Sequence, residues 1–182
     1  MLRRAFAALV MLLVATLSVP AMAGTLQCVP YAREVSGIDI QGNARTWWGQ
    51  AEGRYDRGNE PKVGAVLAFQ PTSAMPYGHV AVVDKILDDR RVLLNHANWS
   101  GPGKIERQAL AEDVSEAGDW SSVRVWYAPI GKLGIRPNPA FGFIYNQAAG
   151  TSEVEDAFAK AFSDLASAEQ PQADALKIAL AR

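Results

Sequence analysis

The sequence predicts an α+β fold in which N-terminal helices pack on an antiparallel sheet and a helical tail follows at the C-terminal end. Three observations carry this. Two short helical patterns come first, between Cys28 and Gly53. Short apolar runs separated by turn residues follow from Pro61 to Tyr127, and an amphipathic stretch with its own capping signal lies beyond residue 150.

The chain opens Met1-Leu2-Arg3-Arg4, runs through apolar residues from Ala5 to Val19 and reaches Ala21-Met22-Ala23, the basic, apolar, small-x-small order of a secretory signal. Residues 1–23 are read as a leader, and the protein as exported, either periplasmic or secreted. A membrane anchor is the competing reading, but the 15 residues from Ala5 to Val19 fall short of the ~20 that a spanning helix needs. No stable membrane span is expected once the signal is removed. Cys28 follows shortly after this apolar segment, as a lipid-attachment cysteine would, yet Gln27 precedes it where a small residue belongs.

The full chain carries 18 Lys and Arg against 19 Asp and Glu; without Arg3 and Arg4 the balance is 16 against 19, a net of −3 with histidine neutral. Nothing in that balance points to nucleic acid. The 159 residues left after removing 23 from 182 suffice for one domain and an appendage, given ~100–200 residues per domain. A single cysteine forms no intramolecular disulfide even in an oxidising compartment, so burial alone must hold the fold. That thiol is either an inert core residue or a reactive one.

The first helical pattern covers Val29 to Val35 and stops at Gly37; Pro30 fits because it falls in the first turn, where an N–H would be unpaired. Cys28 then sits at the mouth of the helix. The second covers Ala44 to Ala51, with Asn43 as N-cap and Gly53 past its end. Strands are predicted over Val63 to Phe69, His79 to Leu87, Val92 through His96, and Val123 to Tyr127. The Asp88-Asp89-Arg90 connection is short enough to make the second and third an antiparallel hairpin. Gly131, Gly134, Pro137 and Pro139 read as a connector, so the domain is placed at 24–130 and the connector at 131–150. In the 151–182 tail, Ser152-x-x-Glu155 makes a capping box, and Val154, Ala157, Phe158, Ala161, Phe162 and Leu165 share one helical face. That stripe needs burial, either against its own domain or, over 151–168, against a protein partner.

A nucleophilic thiol needs a base, a group that orients the base, and donors for an oxyanion. Cys28 at a helix N-terminus meets the partial positive charge of the aligned peptides, which favours thiolate relative to the ~8.5 of a free thiol. Its own amide is the obvious oxyanion donor and the Gln27 side chain a second. His79, in Gly78-His79-Val80-Ala81-Val82-Val83, starts an apolar strand from which a ring can project as base. His96 ends the paired strand and can approach His79 across the hairpin, to orient and polarise its ring. The bland alternative is that both histidines only cap strand ends. A zinc site made of Cys28 and the two histidines is disfavoured, because none of them form a close pair with metal-ligand spacing; no metal and no cofactor is expected.

Gln27-Cys28-Val29-x-Tyr31-Ala32-Arg33, then Gly64-Ala65-Val66-Leu67-Ala68-Phe69, then Gly78-His79-Val80-Ala81-Val82-Val83 and finally Asn98-Trp99 resemble, in order and spacing, the cysteine- and histidine-dependent amidohydrolase/peptidase (CHAP) domain, over about residues 26 to 128. The resemblance implies a papain-like fold, a Cys28/His79 catalytic pair and cleavage of peptide or amide bonds in peptidoglycan, with its peptide stems as the partner, by bacterial or phage proteins. Many members carry a carboxylate two residues before the Asn of the Asn-Trp pair; here His96 stands there. This resembles related cell-wall peptidases that use a second histidine, which implies His96 as the group that orients His79 and Asn98 as a supporting polar group, with Asn98 as the alternative orienter.

Tyr31, Trp48 and Trp99 join Gln27 as candidates for oxyanion or substrate contact, since flat rings give large contact area at low entropy cost. Of the adjacent Trp47 and Trp48, one is expected in the core and one outside it; Trp126 and Tyr127 are read as structural. Two other functions stay open: a peptidase or acyl transferase acting on another substrate with the same thiol chemistry, and a non-catalytic wall- or partner-binding module with an inert thiol.

Overall fold

The computed structural model describes residues 25–148, together with Phe158, Lys160 and Ala161. The predicted leader, and the 151–182 tail apart from those three helical residues, lie outside the described residues. Within them, helix α1 spans Cys28–Ser36; a 3-10 turn, Ala44–Thr46, leads into the short helix α2, Trp47–Ala51. Eight strands follow: β1 Tyr55–Gly58, β2 Val66–Phe69, β3 His79–Asp88, β4 Arg91–Ala97, β5 Ile105–Asp113, β6 Ser122–Tyr127, β7 Lys132–Leu133 and β8 Asn138–Ala148.

Every strand pairing is antiparallel, in the order β1-β8-β2-β3-β4-β5-β6-β7, and a further pairing of β6 with β8 closes β8, β2, β3, β4, β5 and β6 into a six-stranded barrel. The protein is therefore mostly β. Against the α+β expectation, the helices do pack on an antiparallel sheet, but they are few and the sheet is closed. Closure removes the exposed edges that the six barrel strands would otherwise have to protect, leaving β1 and β7 as the outer strands.

Side-chain alternation builds two cores. Leu67, Phe69, Ala81, Val83, Val92 and Leu94 point into the barrel with Phe143 and Trp120, while Val66, Ala68, Val80 and Val82 face Ala32, Ile38, Trp47 and Ala51 of the helical layer. That is why β2 and the start of β3 read as unbroken apolar runs: both of their faces are covered. Trp47 is fully buried and Trp48 only partly, as their adjacency on a helix requires. Truncating Trp47 to Ala would cost about 3–5 kcal/mol in lost packing.

The domain boundary at 130 is corrected. The segment read as a Gly/Pro connector contains β8, the strand that pairs with β1, β2 and β6 and buries Ala140, Phe143, Ile144 and Tyr145. Pro139 is tolerated because it sits near the start of the strand, where a missing donor does least harm. The predicted hairpin is present, with Asp88 paired to Arg91 across a two-residue turn.

Candidate active site

Cys28 is the first residue of α1, and Gln27 before it is extended (φ −102°, ψ 161°), with no side-chain cap on the helix. Pro30 has no N–H, so Cys28 and Val29 carry the free first-turn donors, next to the sulfur. The Val80 amide also donates toward that sulfur from β3, which brings the thiol to within one residue of His79 along the strand. Cys28 and His79 line the same cavity, of about 930 Å³, with Gln27, Asn98 and Trp99.

His79 reaches this position because Gly78 does. Gly78 has φ +67°, and a Cβ there would lie 2.9 Å from both the Arg45 nitrogen and the Phe69 carbonyl oxygen. Only glycine allows this close approach of two backbones immediately before β3. His79 then shares its face with Ala81 and Val83, inside the end of the barrel, opposite Phe69.

The His79 Nε2 lies 3.1 Å from His96 Nδ1. His79 Nδ1 is thus the ring nitrogen that His96 does not engage. Trp99 packs on both imidazoles, with ring centroids 4.9 Å from His79 and 5.7 Å from His96, and its Nε1 donates to the Trp126 carbonyl at 3.1 Å. It holds the rings as well as lining the cavity.

Asn98 has a different set of partners. Its Nδ2 donates to Gln27 Oε1 at 2.8 Å, while its Oδ1 accepts the Gly103 N–H at 3.0 Å. Of the two candidates for the group against His79, the neighbouring ring nitrogen belongs to His96; Asn98 instead fixes the Gln27 side chain, whose Nε2 also donates to the Thr25 carbonyl at 3.0 Å.

Two expectations are corrected. Tyr31, one helical turn beyond Cys28, is buried and is absent from the cavity lining. Trp48 also lies away from the cavity, stacked on Phe141 at 5.8 Å with the Arg57 guanidinium 4.8 Å above its ring. The cavity rim is supplied instead by residues that carry no sequence signal for contact, among them Tyr77, Ile130 and Ile135, together with Tyr127, whose place on a strand reads as structural in the sequence. All four are exposed apolar side chains, and that exposure is invisible in a linear pattern.

The electrostatics also differ from expectation. Burial pushes the Cys28 thiol up, against the opposing pull of the Val80, Val29 and Cys28 N–H groups. The helix terminus alone was expected to favour thiolate; desolvation outweighs it. Burial holds His79 well below its usual range, with His96 adding to the effect, and burial pulls His96 down to about 4. The resting site is thiol and neutral imidazoles. Proton transfer from sulfur to ring makes an ion pair with no net charge, so the dry site opposes the separate ions more than the pair.

Among the described residues, no group of three or more His, Cys, Asp or Glu is placed to hold a metal ion. A helix-borne thiol that lines one cavity with a histidine whose Nε2 meets a second ring has the parts needed for nucleophilic attack by sulfur. Residues 19–98 match the family model for the CHAP domain, so this stretch of the chain carries a CHAP domain. The family is one of amidase- and peptidase-type hydrolases acting on peptidoglycan. No curated protein matches the chain.

Proposed function

We propose that the protein is an exported cysteine hydrolase that cleaves amide or peptide bonds of peptidoglycan, with Cys28 as nucleophile and His79 as base. The observation that supports this most is the shared cavity wall: a thiol at the start of α1 and a histidine at the start of β3, with the far side of that histidine engaged by His96. A nucleophile helix packed on a β-barrel that carries the base also suits the papain-like reading.

In the proposed reaction the Cys28 sulfur attacks the carbonyl carbon as His79 Nδ1 takes its proton. The oxyanion is met by the Cys28 amide, with the Gln27 side chain, steadied by Asn98, as a second donor. His79 returns the proton to the leaving amine nitrogen, the C–N bond breaks and a thioester remains. Water then attacks the thioester, giving a proton to His79, and the thiol is regenerated. His96 keeps the imidazole in one orientation throughout.

Mass spectrometry of fragments released from purified peptidoglycan tests the reading. Fragments cut at one kind of amide bond, absent with Cys28→Ala, are the expected result. The burial that raises the thiol favours a second reading, a binding module with an inert cysteine. Under that reading the wall is bound, nothing is released, and Cys28 resists iodoacetamide at neutral pH.

A further inference from the structure

We infer that Glu106 is a positioning residue for the His79 base, acting through His96, and that a bulge in β5 delivers it there. The inference rests on the reading of Cys28 and His79 as nucleophile and base. With His96 Nδ1 against His79, its other nitrogen, Nε2, is buried and has no hydrogen-bond partner. Glu106 Oε2 faces that nitrogen at 3.6 Å, with the His96 side chain fully buried and that of Glu106 7% exposed. The carboxylate is itself anchored: Oε2 accepts the Ser100 N–H at 3.1 Å, and the Lys104 ammonium lies 3.8 Å from Oε1.

The register shows why Glu106 is the residue there. Leu94 pairs with Ala109 and His96 with Glu106, so β5 advances three residues while β4 advances two. The extra residue lies at the bulge around Gln108, which has φ +55° and whose N–H donates to Asn95 Oδ1 at 3.0 Å. In an unbroken ladder Arg107 would stand opposite His96 and set a cation against the imidazole. The bulge replaces it with a carboxylate, the re-aiming of a side chain that bulges near sites provide.

A neutral His96 has one N–H to place. On Nδ1 it would leave a buried Nε2 lone pair facing the carboxylate, which is repulsive. On Nε2 it points toward Glu106 and leaves Nδ1 to accept from His79 Nε2–H, which in turn frees His79 Nδ1 as a lone pair for the thiol proton. The carboxylate therefore selects the tautomers of both rings. When His79 becomes imidazolium, the same negative charge lies behind it, with Lys104 as the opposing cation at the outer oxygen.

Glu106→Gln keeps the shape and removes the charge; Glu106→Asp keeps the charge. Three readouts are needed: thermal melting for the fold, kcat and KM on soluble wall fragments, and the pH dependence of Cys28 alkylation by iodoacetamide. We expect folded Glu106→Gln to lose at least about tenfold in kcat, with KM changed less than about twofold. Its alkylation midpoint should rise by about one pH unit, and Glu106→Asp should recover part of each loss. A folded Glu106→Gln with the wild-type alkylation profile, or a loss confined to KM, would overturn the inference. Alkylation needs no wall substrate, so the two readings fail separately. A wild-type protein that releases nothing from peptidoglycan sinks the hydrolase reading, whereas an active wild type matched by Glu106→Gln sinks only the role of Glu106.

Discussion

His79 and His96 meet nitrogen to nitrogen, Nε2 to Nδ1 at 3.1 Å, in the mouth of a closed β-barrel, with Trp99 packed against both rings. One proton lies between them, so the tautomer of each ring determines that of the other. In the proposed reaction, His79 acts as a base toward Cys28 only while His96 accepts from it.

From this contact, His96→Ala should lower kcat by about a hundredfold while changing KM little, because it frees the His79 ring without touching the rim. Steady-state kinetics on wall fragments measures this. Activity within about twofold of wild type would remove His96 from the account.

Asn98 should behave differently, because it holds Gln27 rather than His79. Asn98→Ala and Gln27→Ala are each expected to cost about tenfold in kcat, as loss of part of an oxyanion contact. The double variant should cost little more than either alone, since both remove one contact. Additive losses would show that the two residues act separately.

The buried rings make folding sensitive to acid. Burial lowers His79 well below its usual 6.5 and His96 to about 4, so the unfolded chain binds more protons than the folded one as pH falls from about 6.5 to about 4. Linkage then makes stability rise with pH across this window: it is full above about pH 6.5 and declines below, with His96 alone accounting for about 3 kcal/mol at the acid end. Tm measured from pH 7.5 down to 4.5 should fall accordingly, and His96→Gln should flatten the decline. A Tm independent of pH would contradict the two rings being buried and neutral.

Gly78 and Gly64 both have positive φ, but only Gly78 is crowded: a Cβ at Gly64 would meet nothing within 4 Å. Gly64→Ala should cost about 1 kcal/mol from backbone strain alone. Gly78→Ala adds a clash with two backbones and should cost at least about 2 kcal/mol, together with activity, because His79 is the next residue. Denaturant melts of the two variants compare them directly; equal losses would show that the close approach at Gly78 is not needed.

The residues proposed to carry the chemistry each stand at a marked place in the chain. Cys28 opens a helix signalled by Pro30 and Gly37, and His79 follows Gly78 at the head of an apolar run. Glu106 was not legible. β5 was missed with it, because the bulge at Gln108 breaks the period of two: the buried positions Glu106, Ala109, Ala111 and Asp113 change parity between the first and second. β8 was hidden by Pro137, Pro139 and Gly142, although Phe141, Phe143, Ile144 and Tyr145 gave a strand-like run. Tyr31 and Trp48 are candidates on the strength of their flat rings, and ring chemistry does not say which side of a helix faces the cavity.

The central claim is tested most directly by the rate at which new amino groups appear when the protein is incubated with purified peptidoglycan, with Cys28→Ala and His79→Ala alongside and the fold of each checked by thermal melting. The account predicts release by the wild type and a loss of at least about a hundredfold in each folded variant. Release by either variant at the wild-type rate would contradict it.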